Sequence, residues 1–235
     1  MTPNRIYRRL ASVELSVLVA LGLIAAFAWA FIWLADAVVE GDTRGLDTTL
    51  LLALRNPADA AKGWGPAWVQ EMARDFTALG SVGVLALLTL AAIGYLWLAG
   101  KRHAALAVFV AVAGGQLIST LLKLAFDRAR PDLVPHGAVV YTTSFPSGHS
   151  MMAAVTYLTL GAMLARVHAP LRIRLYLLTL AVLLTVLVGV SRVYLGVHWP
   201  SDVAGGWAVG AAWALLCSLV MRKLQGEGKV EKQTS

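Results

Sequence analysis

The chain has 235 residues, of which 58 % are apolar and only 14 % charged, and its formal net charge is +7. This excludes a soluble globular domain, where about 45–50 % apolar and about 25 % charged residues are usual, and equally a disordered or collagen-like chain. One cysteine, Cys217, inside an apolar run leaves no internal disulfide and no Cys/His zinc spacing.

The first predicted element is a helix over 13–34, preceded by Arg5, Arg8 and Arg9. A basic start followed by Ala35-Asp36-Ala37 has the form of a cleavable signal, but the apolar run exceeds the usual h-region of about 7–15 residues, so a retained helix is expected. The segment 36–78 carries two stripes at helical spacing, Leu46/Leu50/Leu51/Leu54 and Trp64/Trp68/Met72/Phe76. They predict short helices that lie in the membrane interface, flanking the mouth for a lipid, or that pack on the bundle. Apolar runs then predict helices over 79–99 and 104–122. The next two, 148–166 and 173–190, reach the roughly 20 residues of a spanning helix only with flanking residues. A sixth covers 203–221, and a polar, unstructured tail is expected over 226–235. With no repeat and no linker, 1–235 reads as a single membrane-embedded domain. Its expected fold is all-α, a bundle of six transmembrane helices with short interfacial helices between the first two.

Lys and Arg bias in short loops sets orientation. Arg5, Arg8, Arg9, Lys101, Arg102, Arg166, Arg172, Arg174, Arg222, Lys223, Lys229 and Lys232 fall on one side of the six-helix scheme. The opposite side has Arg44, Arg55, Lys62, Arg74, Lys123, Arg128, Arg130 and Arg192. Both termini are therefore expected in the cytoplasm, and the positive charge reads as a topology signal rather than a nucleic-acid surface. Short loops and small size point to a bacterial cytoplasmic membrane.

Three clusters of polar residues fall at the outward helix ends. They are Lys123 with Arg130-Pro131; Pro146-Ser147-Gly148-His149; and Ser191-Arg192 with His198 and Asp202. Ionisable residues near membrane helices are costly and suggest function. Guanidinium forks match phosphate oxygens and a lysine adds a point charge. Ser147-Gly148-His149 opens a helix whose free N–H groups favour an anion, although Ser147 also suits a plain N-cap. His198 and Asp202 are four apart. A carboxylate on one ring nitrogen fixes the tautomer and frees the other as a nucleophile, while His149 can protonate a leaving oxygen. Each piece alone has a bland explanation: a snorkelling cation, a structural histidine, a Pro-Ser-Gly turn. Their joint occurrence on one side does not.

The clusters resemble the three-part pattern of the type 2 phosphatidic acid phosphatase superfamily, K-x6-R-P, P-S-G-H and S-R-x5-H-x3-D, and match it at every fixed position. The resemblance implies a lipid phosphate phosphatase in which His198 becomes a phosphohistidine, Asp202 orients it and His149 protonates the leaving group. It implies phosphate binding by Lys123, Arg130, Arg192, Ser147 and Gly148, with no metal and no cofactor. It also implies a lipid phosphate or diphosphate substrate at the outer face, undecaprenyl diphosphate first and phosphatidylglycerophosphate or phosphatidate second. No nucleic acid and no obligate protein partner is expected. His136 reads as a solvated loop residue or a headgroup contact. Asp127, Arg128 and Asp132 read as residues that pair with neighbouring charges, and His103 and His168 as non-catalytic cytoplasmic residues. Competing readings are an intramembrane serine protease using Ser147 and His198, a phosphate-selective transporter, and a hydrolase with His149, His198 and Asp202 as metal ligands.

Overall fold

A computed structural model of the chain describes residues 3–138, 142–166 and 170–226, without the side chains of 3–14, 166 and 226. The tail 227–235 and His168 lie outside the described residues, as do the side chains of Arg5, Arg8, Arg9 and Arg166. The elements in order are α1 Pro3–Glu40, α2 Arg44–Ala53, β1 Arg55–Asn56, β2 Asp59–Gly63, α3 Ala67–Ala78, α4 Val82–Leu98, α5 Arg102–Ala125, α6 Gly148–Arg166, α7 Leu171–Tyr194 and α8 Pro200–Gly226.

Among the described residues four helices, α1 from Leu15 onward, α5, α7 and α8, are long and apolar enough to cross a membrane, and α3 with α4 adds a fifth if the bent pair is one span. The expected count of six thus meets two departures. The predicted helix over 79–99 is shorter, because Leu79-Gly80-Ser81 bends the chain by 47° between α3 and α4. There Ser81 caps α4, its hydroxyl accepting from the N–H of Val84. The predicted helix over 148–166 exists as α6 but falls short on hydropathy. Its first half, Ser150 to Tyr157, is buried among neighbouring helices. A helix shielded from lipid by its neighbours can carry Ser, Thr and Gly.

The all-α expectation misses one feature, the antiparallel hairpin β1–β2. Asn56 supports its turn by accepting from the N–H of Ala58 at 2.9 Å. The two stripes fall largely in α2 and α3, with Leu54 just past the end of α2 and Trp64 before the start of α3. Leu51 turns fully inward, whereas Leu46, Leu50, Trp68 and Met72 stay exposed. Each short helix thus buries one side against the bundle, through Leu51 and Ala73, and leaves apolar side chains exposed on another.

Helix α6 is the hub, touching α4, α5, α7 and α8, while α1 lies along α8 and α3 along α7. Glycines set the closest approach. A Cβ at Gly206 would stand 2.7 Å from Ser147 O, and one at Gly210 2.6 Å from Met151 O. Two glycines four apart let α8 lie backbone to backbone on α6. That contact holds the start of α6 beside the start of α8. The loop before α6 is pinned by Phe145, which is buried and stacks on Phe31 at 5.7 Å and meets Phe126 edge-on at 5.0 Å.

Candidate active site

The three sequence clusters meet at one end of the bundle. Lys123 lies in the last turn of α5, Arg192 in the last turn of α7, Gly148 and His149 open α6, and Asp202 lies in the first turn of α8. Arg130 and His198 come from the connecting loops. Lys123, Arg130, Gly148, His149, Arg192 and His198 line a single cavity of about 910 Å³.

His198 is the centre. It is 1 % exposed. Its Nδ1 faces Asp202 Oδ2 at 3.3 Å, and its Nε2 faces Arg130 Nη1 at 3.1 Å. A guanidinium can only donate, so Nε2 carries the lone pair and Nδ1 carries the proton given to Asp202. Burial holds the imidazole far below its ordinary value, at about 3, against the opposing pull of Asp202 and with help from Arg192 and Arg130. The ring is therefore neutral across the physiological range, with a nucleophilic nitrogen turned to the cavity.

Asp202 is saturated with donors. Oδ2 accepts from Ser144 Oγ, from the Trp199 N–H at 2.8 Å and from His198. Oδ1 accepts from Arg128 Nη1 at 2.6 Å. A carboxylate so held cannot rotate away from the imidazole.

The cations around the cavity are not neutralised. Lys123 Nζ donates to Thr142 Oγ1 and Thr143 O at 3.2 and 2.9 Å. Arg130 donates to Thr142 O at 2.8 Å and Val197 O at 2.6 Å. Burial lowers the Arg130 guanidinium below its ordinary value, partly offset by Asp202, far from enough to discharge it at neutral pH. Arg192, 3 % exposed, donates to Thr77 Oγ1 at 2.9 Å, and its buried Nε has no partner among the described residues. None of the three pairs with a carboxylate among the described residues. Three unpaired cations beside a helix N-terminus make a site for a multiply charged anion.

Other sequence candidates fall differently. Ser147 is buried at the N-cap of α6, where its hydroxyl accepts from Ser150 Oγ at 2.9 Å and its N–H donates to Asp202 O. It makes no bond to His198, so the serine–histidine pair a protease needs is not formed. His149 is half-buried on the cavity wall. His136 Nε2 bonds Pro131 O at 2.7 Å, which ties its own loop. Asp127 and Asp132 are exposed, with no ion pair among the described residues. Arg128 does pair, with Asp47 and Asp202. Among the described residues no three His, Cys, Asp or Glu side chains gather as metal ligands.

Sequence reasoning missed Thr77, Thr142, Thr143, Ser144 and Asp47. The first four are neutral hydroxyls without a spacing signal. Asp47 was visible as a carboxylate within a leucine stripe, at Leu46-Asp47-Thr48-Thr49-Leu50.

The chain is similar to phosphatidylglycerophosphatase B of Bacillus subtilis (strain 168), 34 % identical over 147 residues that span 61 % of this chain and 70 % of that protein. It is 30 % identical over 178 residues to lipid A 1-phosphatase of Rhizobium etli, spanning 66 % of this chain and 72 % of that one. Among solved structures, the transmembrane PAP2 type phosphatidylglycerolphosphate phosphatase from Bacillus subtilis superposes with a TM-score of 0.70 at 27 % identity, over 87 % of this chain and 96 % of that one. The profile of the PAP2 superfamily matches residues 104–225, a stretch that contains all three clusters and every cavity cation; the chain belongs to the PAP2 superfamily.

Proposed function

We propose that the protein is a membrane phosphatase that hydrolyses a lipid phosphate or diphosphate through a phosphohistidine. One observation carries this reading. The cavity that holds the three unpaired cations continues as an apolar groove between α4 and α5, lined by Val82, Leu85, Leu90, Ile93, Phe109 and Val112. A phosphate head on an apolar tail fits that combination, and a soluble phosphate leaves the groove unused.

His198 Nε2 attacks phosphorus while the bond from phosphorus to the lipid oxygen breaks, and His149 gives that oxygen a proton. Lys123, Arg130, Arg192 and the N–H groups at Gly148 stabilise charge on the equatorial oxygens. Asp202 holds the charged ring that forms. Water, losing a proton to His149, then attacks the phosphohistidine and releases phosphate. Ser147 supports this site as the cap of α6.

The chain acts as a single unit without a metal, a cofactor or an obligate protein partner. It crosses the cytoplasmic membrane six times, with α4 and α6 as the two shorter crossings. Both termini lie in the cytoplasm and the site faces outward. Undecaprenyl diphosphate, phosphatidylglycerophosphate and phosphatidate are the substrates to compare.

The test is phosphate release by the detergent-purified protein from each of the three lipids with EDTA present, and with His198→Ala as blank. Release by the wild type alone supports the reading. Release that EDTA abolishes, or that survives in His198→Ala, overturns it.

A further inference from the structure

Arg128 sits two residues before Arg130, yet its charge is spent away from the cavity. Its Nη1 donates to Asp202 Oδ1 at 2.6 Å and to Ser201 Oγ at 2.7 Å. Its Nη2 donates to Asp47 Oδ2 at 2.7 Å and to Thr43 Oγ1 at 3.1 Å. The Trp199 ring lies 5.8 Å from the guanidinium carbon. The pairing is shielded: the side chains of Arg128, Asp47 and Asp202 are 13 %, 2 % and 0 % exposed. Lys123, Arg130 and Arg192 face the cavity without carboxylates, whereas Arg128 does not line it and bridges two.

Asp47 does more than balance charge. Its Oδ1 accepts from the N–H of Ser201 at 2.8 Å and its Oδ2 from Ser201 Oγ at 2.6 Å. Ser201 N–H is one of the donors at the start of α8 that have no acceptor within the helix. A carboxylate from α2 therefore caps α8 from outside, next to Asp202, where the helix dipole favours negative charge.

We propose that Arg128 and Asp47 are positioning residues that hold Asp202 in the orientation and charge state that His198 requires. This rests on the phosphatase reading and extends it behind the reacting atoms. Asp202 spends Oδ2 on His198 and Oδ1 on Arg128, so the two bonds fix the carboxylate at both ends. Without Arg128, Oδ1 loses its charged donor inside the protein. Asp202 then keeps only its Oδ2 donors, so it can tilt or take a proton at Oδ1, and the acceptor facing His198 Nδ1–H is weakened. Asp47 acts one step further back, by keeping the guanidinium and the start of α8 in place.

The experiment compares wild type, Arg128→Gln, Arg128→Lys, Asp47→Asn and the Arg128→Gln/Asp47→Asn pair. It measures kcat, KM and inhibition by inorganic phosphate on whichever lipid the wild type hydrolyses. It also reads the Nδ1–H resonance of His198 by ¹H–¹⁵N NMR of histidine-labelled protein, a measurement that needs no substrate. Partners that orient a functional histidine from behind are typically worth roughly 10–100-fold. Arg128→Gln is expected to lose kcat in that range with phosphate inhibition unchanged, and to weaken the Nδ1–H bond to Asp202, read as an upfield shift of that proton, while Arg130 keeps the tautomer. Arg128→Lys restores part of both. Asp47→Asn loses less, and adds nothing once Arg128 is gone.

Wild-type kcat and a wild-type Nδ1–H resonance in folded Arg128→Gln overturn the proposal. So does a loss that falls equally on phosphate inhibition, which would make Arg128 a phosphate ligand. If Arg128→Gln does not fold, Asp47→Asn decides: reduced kcat with unchanged phosphate inhibition supports the proposal, and wild-type kcat overturns it. A wild type that hydrolyses no lipid phosphate sinks the phosphatase reading. The Nδ1–H comparison then still tests the positioning of His198 on its own.

Discussion

Arg130 covers the lone-pair nitrogen of His198, with Nη1 3.1 Å from Nε2. In the proposed reaction a phosphorus atom in line with Nε2 needs that space, so substrate would move the guanidinium from the ring to its own oxygens. Arg130 is then both the guard of the nucleophile and its first phosphate contact. Arg130→Lys keeps a charge but loses the fork that spans Thr142, Val197 and the incoming phosphate. Its kcat/KM is expected to fall roughly 10²-fold, with Arg130→Ala lower still, in line with the loss of one charge-stabilising donor. Steady-state kinetics on a lipid phosphate check this. A lysine variant near wild-type activity would show that the fork has no part.

The acid side of stability follows from His198. Its folded value is about 3, below the ordinary 6.5 of a histidine. Between those values the unfolded chain binds a proton that the folded chain does not. Stability is therefore full above about pH 6.5 and falls as pH drops toward 3, by at most about 1.4 kcal/mol per pH unit from this group. The unfolding temperature of wild type in detergent should decline through this window, and that of His198→Gln should decline less. Parallel curves for the two proteins would remove His198 as the cause.

What could be read from sequence divides along physical lines. Lys123, Arg130, His149, Arg192, His198 and Asp202 were legible because helix ends sort charged residues to one side of a membrane and because their spacing is a specific pattern. Helix α7 runs on from Val190 to Tyr194 because Ser191 and Arg192 are buried by neighbours, which no hydropathy window registers. Helix α1 continues from Leu34 through the polar Asp36 and Glu40, where apolar character ends before helical geometry does. Strand β1 is two residues long, too short to leave a period. Thr77 and Asp47 reach the site from α3 and α2, across more than a hundred residues of chain. Only three-dimensional packing brings them there.

The two histidines should separate in a trapping experiment. In the proposed reaction His198 Nε2 takes phosphorus, whereas His149 assists both steps through protons. His198→Ala is expected to form no phosphoenzyme, and His149→Ala to turn over roughly 10²–10⁴-fold more slowly, the usual value of a positioned acid–base group. Quenching the wild type with labelled lipid phosphate and testing for an acid-labile, base-stable phosphoprotein checks this. A phosphoenzyme that persists in His198→Ala would move the nucleophile elsewhere.

The groove between α4 and α5 can be tested apart from the chemistry. Ala86 on α4 and Ala113 on α5 both line it and are exposed, so larger side chains there project into open space rather than into the core. Ala86→Trp and Ala113→Trp should leave His198, Asp202 and the three cations untouched. With a long-chain lipid phosphate, KM is expected to rise about tenfold or more, since a tail that loses the burial of two methylenes loses roughly 1.6 kcal/mol. With a short soluble phosphate ester, kcat and KM should stay near those of the wild type, because that substrate never occupies the groove. Equal losses on both substrates would mean that the tryptophans disturb the phosphate site itself. No loss on either would mean that the lipid tail approaches His198 from another side of the bundle.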